Sequence, residues 1–273
     1  MPLVDICRAA PWGTLRSTGG EWLPLPAPLP ADRDEIHVWR AWLPVDRSRL
    51  ESLAGVLDRS EREKAGMYHS SRDGDRYVAA HGMLRELLAS YLGVAPESIA
   101  YRCSERGKPD LAHSLSGRSL GFNMTHSLDV ALFAVGESID LGVDVECVSG
   151  ALDIEELGRA CLSACEREAL DSLPGRDRRE ALFQWWTRKE AVAKAAGEGL
   201  AASFKRLSVI PPYLEHPGLD PGGEPAVERD EWSVWDLTPW PGYVGALASR
   251  GERRMLRLFE FRAPAAHTGR RVA

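Results

Sequence analysis

Asp144 and Glu146 stand two residues apart in the apolar run from Leu141 to Glu146. In a β-strand, residues i and i+2 leave the same face with alpha carbons about 6–7 Å apart, so both carboxylates can reach one hard cation. Oxygen ligands at that spacing suit Mg²⁺, which binds through a few carboxylates and fills its other positions with water or substrate phosphate. The same spacing also describes an ordinary solvated strand face. Glu190 and Lys194 form a second pair, four apart on an expected helix and projecting within about 40° of each other. As a plain surface pair they would add only a few tenths of a kcal/mol. As chemistry, Glu190 would serve a metal ion or take a nucleophile's proton, and Lys194 would neutralise a departing phosphate.

The elements that must position these pairs follow from periodicity and stop signals. The run from Ile36 through Val38, Trp39, Ala41, Trp42 and Leu43, ended by Pro44, predicts a strand. Tyr77, Leu84, Leu88 and Tyr91 recur at helical intervals and Gly93 follows, which predicts a helix from about Ser71 to Leu92. Strands are expected at Ile99 to Arg102, Leu120 to Asn123, Val130 to Val135 and Leu141 to Glu146, with a turn at Gly107, Lys108 and Pro109. Further on, Ser163 with Glu166 and Asp177 with Glu180 have capping-box spacing, and Pro174-Gly175 divides two helices. The second of these runs past Trp185, Trp186 and Ala193 to Gly197 and Gly199. The adjacent tryptophans cannot share one helix face, so one is expected in the core and the other at a seam. Phe204 to Ile210, Trp232 to Leu237, Tyr243 to Ser249 and Met255 to Phe261 read as strands.

Each half therefore offers helices and an antiparallel sheet, an α+β chain. Pro11, Pro24, Pro26, Pro28 and Pro30 make residues 1–35 an extended arm. An N-terminal half follows over 36–141, a C-terminal half over 142–262, and a loose tail over 263–273.

Three segments occur in a telling order: Phe122-Asn123-Met124-Thr125-His126-Ser127, then Gly142-Val143-Asp144-Val145-Glu146, then Trp186-Thr187-Arg188-Lys189-Glu190-Ala191-Val192-Ala193-Lys194. Together with Gly107-Lys108-Pro109 upstream and Gly197-Glu198-Gly199-Leu200 downstream, the set closely resembles Sfp-type 4'-phosphopantetheinyl transferases over about residues 36 to 262. The resemblance implies a pseudo-dimer of two similar halves with coenzyme A and Mg²⁺, or Mn²⁺ in its place, bound in the cleft between them. It implies Asp144, Glu146 and Glu190 as metal carboxylates and Glu190 as the group that takes the serine proton, directly or through water. Lys194 would neutralise the departing adenosine 3',5'-bisphosphate. Lys64, Arg76 and His126 would receive the 3'-phosphate of coenzyme A, with Lys108 and Pro109 beside the adenine. Thr125 replaces a more usual serine and keeps a hydroxyl donor. Glu61 stands where some relatives carry a basic residue, which weakens that subsite. The partner implied is an apo acyl or peptidyl carrier protein. The chemistry is coherent on its own terms, because attack on a pyrophosphate needs charge neutralisation and alignment more than covalent help.

Composition narrows the alternatives. A net charge of −6 argues against a general nucleic-acid binder. Five irregularly spaced cysteines do not form a disulfide framework, and no run of 18 apolar residues or basic-apolar leader is present, so a cytoplasmic protein without membrane insertion is expected. A chain of two halves completes its own cleft, which predicts a monomer. His126 beside Ser127 lacks the Gly-x-Ser-x-Gly frame of a hydrolase nucleophile. Two rival readings stay open: a carrier-binding module without catalysis, and a hydrolase that cleaves coenzyme A at its pyrophosphate.

Overall fold

Alternation with a period of two decides which faces of the strands meet in this protein, seen in a computed structural model that describes residues 21–25, 32–104, 107–112, 119–149, 153–197, 204–205, 207–209, 218–219, 232–251 and 253–261. Strands β1 (Leu23–Leu25), β2 (Glu35–Trp42), β5 (Leu120–Ser127), β6 (Val130–Glu137) and β12 (Met255–Phe261) form one sheet in the order β1-β12-β2-β6-β5. Strands β7 (Leu141–Cys147), β10 (Trp232–Leu237) and β11 (Tyr243–Arg250) form a second, ordered β10-β11-β7. Two short two-stranded pairs complete the strands among the described residues, β3 (Tyr101–Cys103) with β4 (Pro109–Leu111) and β8 (Leu207–Ser208) with β9 (Gly218–Leu219).

Val130, Leu132 and Ala134 of β6 leave one face and meet Leu141, Val143 and Val145 of β7 and Leu247 of β11, so the two sheets share a core. Ala131, Phe133 and Val135 leave the other face and pack on Met83, Leu84, Leu87 and Leu88 of helix α3 (Ser71–Leu92). On the far side of the second sheet, Ala246 and Ala248 meet Leu182, Trp185 and Val192 of helix α6 (Gly175–Ala196). The layers thus run helix, sheet, sheet, helix, and β6, buried on both faces, reads as a continuous apolar run. The architecture is α+β, with largely antiparallel sheets packed against helices.

Several boundaries differ from the sequence expectation. The proline-rich arm contributes β1, which pairs in parallel with β12 at the sheet edge. β12 also pairs in parallel with β2, so the last strand of the second half returns to the first sheet and introduces the parallel pairs there. Helices α1 (Arg47–Val56), α2 (Arg59–Gly66) and α4 (Ile154–Cys161) add to those that periodicity predicts. The Ser163–Glu166 capping box does open α5 (Ala164–Asp171). Asp177 is not a cap: α6 starts at Gly175 after Pro174, whose carbonyl accepts the Asp177 amide at 2.8 Å. Proline's fixed φ preorganises that start three residues earlier. Pro11, Pro26, Pro28, Pro30, Gly199, Ile210 and the tail from 263 lie outside the described residues.

Candidate active site

Gly142 is what lets helix α6 lie directly on strand β7. A Cβ at this position would stand 1.9 Å from the Ala191 carbonyl oxygen and 2.4 Å from the Ala195 nitrogen, so no larger residue fits without moving the helix. Leu141, Val143 and Val145 face the core between the sheets, and the period of two turns Asp144 and Glu146 the other way, onto α6. Glu190 and Lys194 are on the facing turns of that helix. Lys194 Nζ lies 2.6 Å from Asp144 Oδ1 and donates to the Val143 carbonyl at 3.3 Å.

The second wall is the edge of the first sheet. β5 and β7 are edge strands of different sheets, and polar side chains of β5 join them where no backbone ladder does. Asn123 Oδ1 accepts the Val143 amide at 2.9 Å, and Ser127 Oγ accepts the Cys147 amide at 3.2 Å. The Thr125 hydroxyl donates to Asp144 Oδ1 at 3.1 Å, and that of Ser127 to Glu146 Oε2 at 2.8 Å. The segment from Phe122 to Ser127 is thus a brace that aims two carboxylates. Asn123 and Ser127 have no role in the sequence reading, although their alternation with Thr125 is visible there. Trp186 of α6, given no chemical role in the sequence reading, lies beside Glu146.

Burial has left these acids hungry for positive charge. Asp144 is 4% exposed and Glu190 6%, and Asp144 Oδ2 and Glu190 Oε1 are buried with no hydrogen-bond partner. Desolvation pushes the Asp144 carboxyl up despite Lys194 beside it. Desolvation and then Asp144 push Glu146 up, and desolvation followed by Asp144 pushes Glu190 up to about 7. Each acid raises the next, so all three belong to one electrostatic cluster. Among the described residues, no three carboxylate, imidazole or thiol side chains converge into a finished metal centre, and Lys194 supplies the cation that Asp144 now faces. The donor set still fits Mg²⁺: hard oxygens only, two of them buried and unpaired, in a cluster where a cation would relieve mutual repulsion.

The remaining predicted residues lie on either side. His126 is half-buried and its basicity is depressed, first by desolvation, then by His81, Lys194 and Arg76, which places these basic groups around it. Arg76 is committed to Asp129 at 2.6 Å and Asp73 at 2.8 Å, so its charge is already shared. Lys64 lies over the Tyr77 ring at 5.5 Å, and His81 stacks on the same ring with 3.9 Å between centroids. Glu61 is structural, closing the Asp58 capping box of α2 and pairing with buried Arg85 at 2.6 Å. Lys108 reaches across to the Ala195 carbonyl at 2.9 Å, near the end of α6, and desolvation lowers its basicity. Lys108 and Pro109 line an open cleft of about 380 Å³ with Gly121, Phe122, Asp140 and Leu141. Of the two tryptophans, Trp185 is core and Trp186 is the seam residue, edge-on to Phe204 at 5.5 Å.

This geometry meets independent sequence comparisons. The family described as the 4'-phosphopantetheinyl transferase superfamily matches residues 140–248, which contain β7 and α6, and the family described as 4'-phosphopantetheinyl transferase, N-terminal, matches residues 40–138. The chain is 34% identical over 230 residues to the 4'-phosphopantetheinyl transferase HetI of Nostoc sp., covering 84% of this chain and 94% of that protein. It is 29% identical over 176 residues to the human L-aminoadipate-semialdehyde dehydrogenase-phosphopantetheinyl transferase, covering 61% and 56%. Against the 4'-phosphopantetheinyl transferase of Bacillus subtilis the identity is 25% over 167 residues, covering 61% and 71%. With the braced carboxylates falling inside the matched segments, this chain belongs to the 4'-phosphopantetheinyl transferase superfamily.

Proposed function

We propose that this chain moves the 4'-phosphopantetheine arm of coenzyme A onto a serine hydroxyl of an apo acyl or peptidyl carrier protein, releasing adenosine 3',5'-bisphosphate, with Asp144, Glu146 and Glu190 as the residues that hold Mg²⁺. The observation that carries this reading is the pair of buried, partnerless oxygens on Asp144 and Glu190 beside Lys194. Unpaired buried charge is costly, and a phosphate-binding cation is the ligand that would repay it. When bound, the metal supplies charge neutralisation at the pyrophosphate.

The chain's own groups do the rest. The Glu190 carboxylate, its proton affinity raised by burial and by Asp144, accepts the serine proton as the oxygen approaches the phosphorus that carries the pantetheine arm. Lys194 lies at the mouth of the cluster, 30% exposed, where it offsets charge on the departing bisphosphate. Thr125 and Ser127 keep Asp144 and Glu146 in place. His126, Arg76 and Lys64 form the basic side that receives the 3'-phosphate, and Lys108 with Pro109 borders the adenine. The cleft lies between the halves 36–141 and 142–262, with β12 returning to the first sheet. No described helix is long and apolar enough to cross a membrane. We read the protein as a cytoplasmic monomer.

Mass spectrometry of apo carrier domains incubated with the protein, coenzyme A and Mg²⁺ tests this directly. Expected is the added mass of one phosphopantetheine on the carrier, abolished by a chelator. No added mass on any carrier of a broad panel, or free phosphopantetheine released without a carrier, would overturn it.

A further inference from the structure

The hairpin between β5 and β6 turns through two residues, Leu128 and Asp129, between the paired positions Ser127 and Val130. Leu128 has φ +48, and only it and Ser138 among the described non-glycine residues have positive φ. A side chain is disfavoured in that conformation, and the first position of such a tight turn ordinarily goes to glycine. The residue is nevertheless a leucine, and its side chain is not buried: it is 46% exposed.

The turn cannot relax to relieve the strain. The Asp129 carboxylate is clamped by Arg72 at 3.0 Å and Arg76 at 2.6 Å from α3. Its carbonyl accepts the Leu43 amide at 2.8 Å, and its backbone lies against Tyr243 at the start of β11. Three elements thus fix the turn and leave one apolar side chain projecting into solvent. Strain held in place by surrounding structure is a pointer to function. The place is informative too. The preceding residue, Ser127, has its hydroxyl on Glu146, and consecutive alpha carbons are only about 3.8 Å apart, so Leu128 sits on the rim of the carboxylate cluster.

We infer that Leu128 is a docking anchor for the carrier protein, presented by a strained turn at the mouth of the site. The inference rests on the proposed transfer reaction. A serine that reaches Glu190 is carried on a folded domain, and that domain's surface must come against the rim where Leu128 projects. Coenzyme A alone requires no apolar contact on this outer face. Leu128 acts by positioning, not by touching the reacting atoms.

The test is steady-state transfer to an apo carrier with Leu128→Gly and Leu128→Met. The glycine variant suits the turn, so its melting temperature is expected to equal or exceed that of the parent. Its KM for the carrier is expected to rise at least 5-fold, with KM for coenzyme A and kcat at saturating carrier changed less than 2-fold. The methionine variant, which keeps an apolar chain of similar volume, should return KM for the carrier to within 2-fold of the parent. An unchanged carrier KM in Leu128→Gly, or equal losses in coenzyme A affinity and kcat, overturns the anchor while leaving the transfer reaction intact. No transfer by the parent protein to any carrier removes both.

Discussion

Helix α6 carries two lysines five residues apart, each 2.6 Å from a buried carboxylate, and their surroundings differ in kind. Lys189 pairs with Glu166, both fully buried, and also donates to the carbonyls of Cys161 at 3.0 Å and Phe204 at 2.5 Å, so all three ammonium hydrogens are used. Glu166 in turn accepts the Ser163 amide at 2.9 Å and the Val209 amide at 3.0 Å. Nothing in that network is left for a ligand. Lys194 pairs with Asp144 instead, and there one Asp144 oxygen and one Glu190 oxygen remain unpaired. Adjacent Arg188 follows the first pattern, bound to Asp236 at 2.7 Å and to the Val209 carbonyl at 2.9 Å. A buried ion pair with every valence filled ties the structure together, whereas one with open valences marks a place where something else binds.

The contrast can be broken from either side. Lys189→Met leaves the Glu166 charge buried without its cation and should cost about 3–5 kcal/mol of stability, the penalty typical of splitting a buried pair. Urea denaturation would measure it, and a loss below about 1 kcal/mol would deny the pair its structural role. Asp144→Asn should act oppositely. It removes a charge that repels Glu146 and Glu190, so stability should change by less than about 1 kcal/mol. The transfer rate should fall about 10²-fold, as when one electrostatic contact to a transition state is lost. A variant equally active, or one that unfolds, would place Asp144 with the structural pairs.

The smallest effect is a pH dependence. Glu190, pushed up to about 7 from an ordinary 4.5, binds its proton more tightly folded than unfolded. Its contribution to stability is therefore fully present below about pH 4.5 and is lost as pH rises through 7. Mg²⁺ competes with that proton, so the rise in melting temperature produced by Mg²⁺ should be larger at about pH 8 than at about pH 6. In Glu190→Gln this pH dependence should flatten. An equal Mg²⁺ effect at both pH values in the parent would remove Glu190 from the cation site.

How much of this was legible beforehand depended on how local the signal was. Helix α3 and strand β12 have the boundaries that periodicity predicts, because Gly93 stops one and alternating residues define the other. The partner of β12 was not readable, since parallel pairing with β2 joins positions about 220 residues apart, as with Leu256 and Ile36. Helix α2 hid behind its charges. Its Asp58–Glu61 capping box is in the sequence, but Glu61 has no partner visible there. That partner, Arg85, is supplied only by tertiary packing. Within the site, the same-face relation of Asp144 and Glu146 followed from strand geometry alone. The closeness of α6 did not, because it depends on Gly142 meeting the helix backbone. The hydroxyl donor kept at Thr125 meets Asp144, a contact between two strands that share no ladder.

The most direct single measurement is Mg²⁺ binding by calorimetry, in the presence of coenzyme A, to the parent protein and to Glu190→Gln. If β7 and α6 together hold the cation, the parent binds one Mg²⁺ per chain and the variant binds it at least 10-fold more weakly. Equal affinity in the two proteins, or no Mg²⁺ bound by the parent, would contradict a cation site built from that strand and that helix.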